Sequence, residues 1–180
     1  LDSDDAPIAV SDSDTDIQEA STLAIQKTNA LLVDNNAPGA SPGDVYEFTV
    51  NLQVSDFFTY GDLVIEDILG DGWDYIDGSA VFFSVEENGA VGAAGSEISL
   101  TPNETVALNT PGSGETTITW DLSQALIDAG SDGLLTGDIA GDGASSGSNT
   151  TVTITYQAAI LRDFSDPGGG EQAISQGDTL

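Results

Sequence analysis

The sequence lacks cysteine and histidine altogether, and only two of its 180 residues are basic. The absence of both side chains excludes disulfides, thiol nucleophiles, the usual ligands of structural zinc and histidine-based acid–base chemistry. One lysine and one arginine cannot neutralise a phosphate backbone or an anionic lipid surface, which argues against both as partners. No apolar run approaches the roughly 20 residues that a membrane helix needs.

Acidic residues are abundant instead. Aspartate and glutamate number 31, and the formal net charge is −29. A surface of this kind stays soluble through mutual repulsion, and it tolerates high salt because salt screens that repulsion. Such a composition is typical of extracellular bacterial proteins and of salt-loving organisms. An apolar content of 39% is sufficient for a core, and the length suits one domain.

Apolar and polar residues alternate along most of the chain, which predicts β-strands. The clearest runs are residues 46–54 and 152–160, each with one apolar and one polar face. About eight short strands separated by turns predict a single antiparallel β-sandwich over residues 21–162. Residues 1–20 then form an acidic lead-in, and residues 163–180 a polar, glycine-rich C-terminal segment.

One short helix is predicted near residues 121–130. Asp121 is a suitable N-cap, and Gln124 follows three residues later. Leu122 and Leu126 belong to an apolar stripe, and Gly130 is a natural stop. The expected fold class is therefore all-β with one short helix.

The order of several local patterns resembles a known family. Lys27 lies on the first strand, and Pro42, Gly43 and Asp44 form a turn that leads into a tyrosine strand. The segments 64–69, 72–79 and 153–158 follow in sequence. This order resembles the prealbumin-like repeat domains of bacterial surface proteins, including the fimbrial isopeptide-forming type. The resemblance implies an Ig-like or prealbumin-like sandwich at the cell surface, acting as a non-enzymatic adhesin stalk or fibre subunit among neighbouring copies or domains.

The resemblance also implies that a last strand is missing or is supplied in trans. In the family an asparagine-bearing strand often follows a Gly-Asp-x-Leu turn, and here that turn occupies residues 177–180. A sandwich without its last strand exposes an apolar groove and unpaired backbone groups. Pro7, Ile8, Ala9 and Val10 form an apolar run that is a candidate donor strand for a neighbouring copy.

Lys27, the only lysine, shares the apolar face of its strand with Leu23 and Ile25. A lysine on such a face needs a carboxylate partner or a neutral amine. Three interpretations stay open: an isopeptide bond, a Lys–carboxylate pair, or a side chain that snorkels at an edge. Glu66 and Asp67 are the candidate acids, of which only one can point inward, and the family's acidic position matches Asp67. Asp163 and Asn149 are poor candidates for the acceptor.

Carboxylate clusters suggest calcium as a cofactor, since hard cations take several oxygen ligands. The candidate ligands are Asp71, Asp74 and Asp77 in one turn, and Asp138 and Asp142 in a loop. The alternative function is therefore a calcium-dependent adhesion or carbohydrate-binding module. A glycan partner would stack on Trp73, Tyr75 or Trp120, although core packing explains these aromatics as well. No nucleophile elbow, P-loop or dinucleotide fingerprint is present, so we do not expect an enzyme.

Overall fold

The computed structural model of the chain describes residues 22–35, 39–55, 58–86, 96–137, 150–166 and 173–174. Eleven strands and one helix lie in these ranges. In chain order they are β1 (Leu23–Val33), β2 (Val45–Val54), β3 (Thr59–Tyr60), β4 (Val64–Leu69), β5 (Trp73–Tyr75), β6 (Val81–Glu86), β7 (Ser96–Leu100), β8 (Glu104–Ala107), β9 (Thr116–Asp121), α1 (Leu122–Asp128), β10 (Leu135–Thr136) and β11 (Thr150–Ile160).

The strands form an antiparallel β-sandwich, which confirms the predicted fold class. The larger sheet has the order β1-β2-β11-β6-β7, and β5 also pairs with β11. The facing sheet has the order β4-β9-β8, and β3 and β10 form a small ribbon. Every pairing among the described strands is antiparallel.

Period-two alternation places the core between the two sheets. Every second residue of β2 from Phe48 to Val54 is buried, and so is every second residue of β11 from Thr150 to Ile160. The facing sheet contributes Ile65, Leu69, Ile118 and Trp120 to the same cluster. Each large apolar side chain buried in this way contributes roughly 1.5–3 kcal/mol, so the two inner faces dominate the stability of the domain.

The predicted helix is confirmed, together with its cap and its stop. The Asp121 side chain accepts a hydrogen bond of 2.9 Å from the backbone N–H of Gln124. Leu122 and Leu126 are fully buried. Gly130 follows with a φ of 94°, a conformation that glycine adopts without steric cost.

Three short strands, β3, β5 and β10, have no alternating pattern in the sequence. β5 occupies the turn after β4, and β10 follows α1. Strands of two or three residues are too short for alternation to appear in the sequence. Whether such a segment forms a strand depends on the strand that it pairs with. Beyond β11, Asp163 pairs with Ala173 in an isolated bridge.

The connection between β1 and β2 is organised by a buried carboxylate. Asp44 is fully buried, and its side chain accepts hydrogen bonds from the backbone N–H of Asn35 at 2.8 Å and of Ser41 at 2.9 Å. The Ser41 hydroxyl donates to it at 3.1 Å. The Asn35 donor is the main cause that lowers the pKa of Asp44, and the Ser41 donors add to it against the opposing effect of burial.

We expect the stability contributed by Asp44 to be lost in acid. A lowered folded-state pKa means a contribution that is complete above the ordinary value of 3.8 and lost as the pH falls through the folded-state pKa. The gap in unfolding free energy between the wild type and Asp44→Asn should therefore be constant near neutrality and shrink below pH 3.8. Urea titrations at stepped pH measure this gap. Asp74→Asn, at an exposed position, is the control, and a gap that widens in acid would contradict the assignment.

Candidate functional site: the open edge and the Lys27 cluster

One edge of the sandwich is left uncovered by the described residues. Among the described residues, β1 pairs only with β2, and β4 pairs only with β9. Ile25 lies opposite Leu52 in the register, and directly opposed residues point to the same face of a sheet. Leu52 is 2% exposed, whereas Ile25 is 61% exposed. The inner face of β1 is therefore correctly oriented for the core, but the described residues leave the Ile25 side chain largely uncovered.

A depression of about 150 Å³ lies along this edge, and we call it the edge groove. It is contributed by β1, β2 and β4, and its lining consists of Ile25, Lys27, Val50, Ile65, Glu66 and Asp67. Apolar atoms form most of its wall, and the Lys27 amine is the only basic group among its lining residues.

Lys27 is held by Asp67 across the groove. The amine nitrogen Nζ lies 2.7 Å from Asp67 Oδ1. Asp67 alternates with the buried residues Ile65 and Leu69, so it occupies the inner face of β4. The Lys27 side chain is 35% exposed and that of Asp67 is 12% exposed. The ion pair therefore sits at the boundary between core and solvent, on the apolar side of both strands.

Tyr156 anchors the second oxygen of this carboxylate. Its hydroxyl donates a hydrogen bond of 2.7 Å to Asp67 Oδ2. Burial raises the pKa of Tyr156 well above its usual range, and the bond to Asp67 raises it further. The phenol consequently stays protonated and holds Asp67 in one orientation, with its other oxygen directed at Lys27.

Aromatic rings form the floor beneath the amine. Lys27 Nζ lies 4.9 Å from the centroid of the Phe48 ring and 5.8 Å from that of Tyr156. These two rings are stacked, with centroids 5.1 Å apart. Cation–π attraction to such faces is worth about 0.5–2 kcal/mol, depending on desolvation. The cluster thus presents an amine beside a carboxylate held in one orientation, over a surface formed by two aromatic rings.

Glu66, the other candidate acid, points away from the core. It lies between the exposed residues Val64 and Ile68 on the outer face of β4, and it also lines the edge groove. Alternation along β4 therefore separates the two neighbouring acids, and only Asp67 reaches Lys27.

The predicted calcium ligands Asp71, Asp74 and Asp77 do not share one environment. Asp71 uses its two oxygens to accept hydrogen bonds from the backbone N–H groups of Ser165 and Asp166, at 2.7 and 2.9 Å. Asp74 and Asp77 are exposed. Within the described ranges, no three carboxylates converge as a metal site would require.

Several predicted residues lie outside the described part of the chain. These are the calcium candidates Asp138 and Asp142, the alternative acceptor Asn149, and the donor-strand residues Pro7, Ile8, Ala9 and Val10. Calcium and glycan binding stay predictions.

The core interpretation of the aromatic residues is confirmed for Trp120 and Tyr75. Trp120 is fully buried and Tyr75 is 5% exposed. Both donate to the same oxygen of Glu104, the indole N–H at 3.1 Å and the phenol at 2.7 Å. Trp73 is half-buried and packs edge-on against Phe48. Glu104 is a structural residue that no sequence pattern indicated, since its partners come from β5 and β9.

No helix among the described residues has the length and apolar character needed to cross a membrane. Comparison with protein-family models and with curated proteins gave no match. Among solved structures, the chain is similar to the pilus backbone (RrgB) from Streptococcus pneumoniae, with 13% identity and a TM-score of 0.38. The match covers 77% of this chain and 46% of that one, so the chain spans less than half of the pilus protein.

Proposed function

We propose that the chain is a non-enzymatic structural module of an extracellular surface protein or fibre, assembled with neighbouring copies or domains by strand complementation. The edge groove is the observation that carries this proposal. Its two bordering strands, β1 and β4, each pair with a strand on one side only among the described residues, and the inner-face side chain of Ile25 is largely exposed to water between them. One added strand would cover these side chains and pair the free backbone groups.

The donor strand is assigned to Pro7, Ile8, Ala9 and Val10 of a neighbouring copy. This run is uncharged, and aspartates flank it on both sides. Its apolar side chains suit the apolar wall of the groove. A contact in which the lead-in of one copy fills the groove of the next is heterologous and does not close on itself, so it propagates as a filament.

A covalent step is the second element of the proposal. Lys27 Nζ would attack the side-chain carbonyl carbon of an asparagine or aspartate on the incoming strand. A new amide bond forms, the C–N or C–O bond to the leaving group breaks, and ammonia or water departs. Asp67 accepts a proton from the amine and returns it to the leaving group. The short Lys27–Asp67 distance and the largely apolar surroundings support these roles.

Strand complementation predicts a specific pattern of assembly by two variants. Ile8→Asp places a charge in the donor strand and leaves the edge groove intact. Ile25→Asp places a charge in the edge groove and leaves the donor strand intact. Sedimentation velocity is best run at about 1 M salt, where a Debye length of about 3 Å screens repulsion between copies. The wild type should form concentration-dependent oligomers, and each variant alone should stay monomeric. An equimolar mixture should form a one-to-one dimer that does not extend, and a mixture that stays monomeric would refute the donor assignment.

Intact mass under denaturing conditions tests the covalent step. A deficit of one ammonia or one water that Lys27→Ala abolishes means a bond inside the chain. A mass that is a whole-number multiple of the chain mass, minus one ammonia or water for each bond, means that the bonds join different subunits. Asp67→Asn should prevent either product because it removes the proton acceptor. An unmodified monomer mass in assembled material would exclude the covalent step and leave strand complementation standing.

A further inference from the structure

Strand direction sets where the chain enters and leaves the larger sheet. In β1, Leu23 lies opposite Val54 and Val33 lies opposite Val45. In β11, Thr150 lies opposite Val54 and Ala159 lies opposite Val45. Both strands therefore run in the same direction on either side of β2. The chain enters β1 at the Val54 end of the sheet and leaves β11 at the opposite, Val45 end.

Both ladders run along the whole of β2 and contain neither glycine nor proline. β1 pairs with β2 from Val54 to Val45, with a single irregularity between Leu31 and Val33. β11 pairs with the same stretch of β2 without a break. Glycine or proline inside a strand would weaken a ladder or interrupt it. The three strands therefore form a continuous unit.

Further backbone hydrogen bonds hold the end of the sheet at which the chain leaves β11. The N–H of Ile160 donates to the Asp44 carbonyl and the N–H of Gly43 donates to the Ile160 carbonyl, both at 2.9 Å. The N–H of Leu161 donates to the Gly72 carbonyl at 2.8 Å. The Asp71 carboxylate holds the backbone of residues 165–166. Tension applied beyond β11 consequently reaches the sheet through several bonds at once.

We infer that β1, β2 and β11 form a force-bearing shear clamp. Tension between the entry and exit points acts along the strands, because these points lie at opposite ends of the same sheet. Under such a load, the hydrogen bonds of a ladder share the force and must break together. If β1 and β11 ran in opposite directions, entry and exit would lie at one end, and the bonds would open one after another. As a biological role, the clamp rests on the proposed function, since it serves a module that transmits tension along a fibre.

Single-molecule pulling along two axes tests the clamp. The chain has no cysteine, so pairs of introduced cysteines define the direction of force on the full chain. Ala24→Cys with Asp163→Cys loads the ladders along the strands, and both positions are exposed. Ala24→Cys with Thr151→Cys pulls across the strands, because both residues lie level with Gln53 of β2.

We expect the rupture force along the strands to be several-fold higher than the force across them at the same loading rate. Equal forces along the two axes would overturn the clamp. A second crosswise pair, Thr28→Cys with Thr155→Cys at the level of Thr49, replaces the first if that variant does not fold. Both rupture forces are measured on single molecules, so they do not depend on whether strand complementation occurs. Conversely, equal rupture forces along the two axes would not affect the sedimentation test of strand complementation.

Discussion

Replacing Tyr156 with alanine should destabilise the protein by roughly 3–5 kcal/mol, as large aromatic truncations in cores do. The Tyr156 ring is fully buried. It stacks on Phe48 of the same sheet and lies 5.5 Å from Trp120 of the facing sheet. The side chain thus fills space at the point where the two sheets meet, and its removal leaves a cavity that the rigid strands cannot close. Urea unfolding at 25 °C measures the loss.

Tyr156→Phe is the matched control because it keeps the ring and removes only the hydroxyl. We expect a loss of roughly 1.5–3 kcal/mol, the usual value of a hydrogen bond to a charged group. The difference between the two variants separates ring packing from the bond to Asp67. If Tyr156→Ala costs no more than Tyr156→Phe, the ring contributes nothing beyond its hydroxyl, and the packing argument is wrong.

Asp67→Ala has the second largest expected effect, roughly 2–4 kcal/mol in the free energy of unfolding. The substitution leaves the Tyr156 hydroxyl without its acceptor in a buried position, and it leaves Lys27 without its carboxylate. The first loss is the larger, because Lys27 is 35% exposed and water screens its charge. Chemical denaturation in parallel with the wild type provides the measurement.

Two further variants divide this effect between the partners of Asp67. Asp67→Asn keeps an acceptor for Tyr156 and removes the charge, so it should cost less than Asp67→Ala. Lys27→Met keeps the alkyl stem and should cost at most about 1 kcal/mol, as pairs at a solvent boundary do. In a double-mutant cycle of Lys27→Met with Asp67→Asn, a coupling energy that falls with added salt supports a screened ion pair. A coupling of zero would show that the pair contributes nothing to stability.

Alternation allowed the inner faces of the long strands to be predicted. A period of two along β2 and β11 leaves only one way for their apolar residues to face a core. The same alternation predicted that Lys27 lies on the inner face of β1. It also required that only one of the neighbouring residues Glu66 and Asp67 point inward. The cap of α1 could also be predicted, because Asp121 and Gln124 are only three residues apart and their bond is local.

Contacts between distant residues could not be predicted in this way. Tyr156 and Asp67 are separated by 89 positions, and no local pattern indicates that a hydroxyl from one sheet will meet a carboxylate from the other. The shared role of Glu104 is of the same kind, since its two donors come from different strands. The short strand β5 exists because β11 offers it a free edge, and its three residues carry no signal of their own.

The sequence by itself determined that the protein is an acidic β-sandwich whose single lysine faces inward, because alternation and charge are properties of neighbouring residues. Only the tertiary structure decided which carboxylate meets that lysine, which ring anchors the carboxylate, and which strands border the edge groove. These features depend on the order in which strands pair. That order follows from the packing of two whole sheets against each other rather than from any single segment.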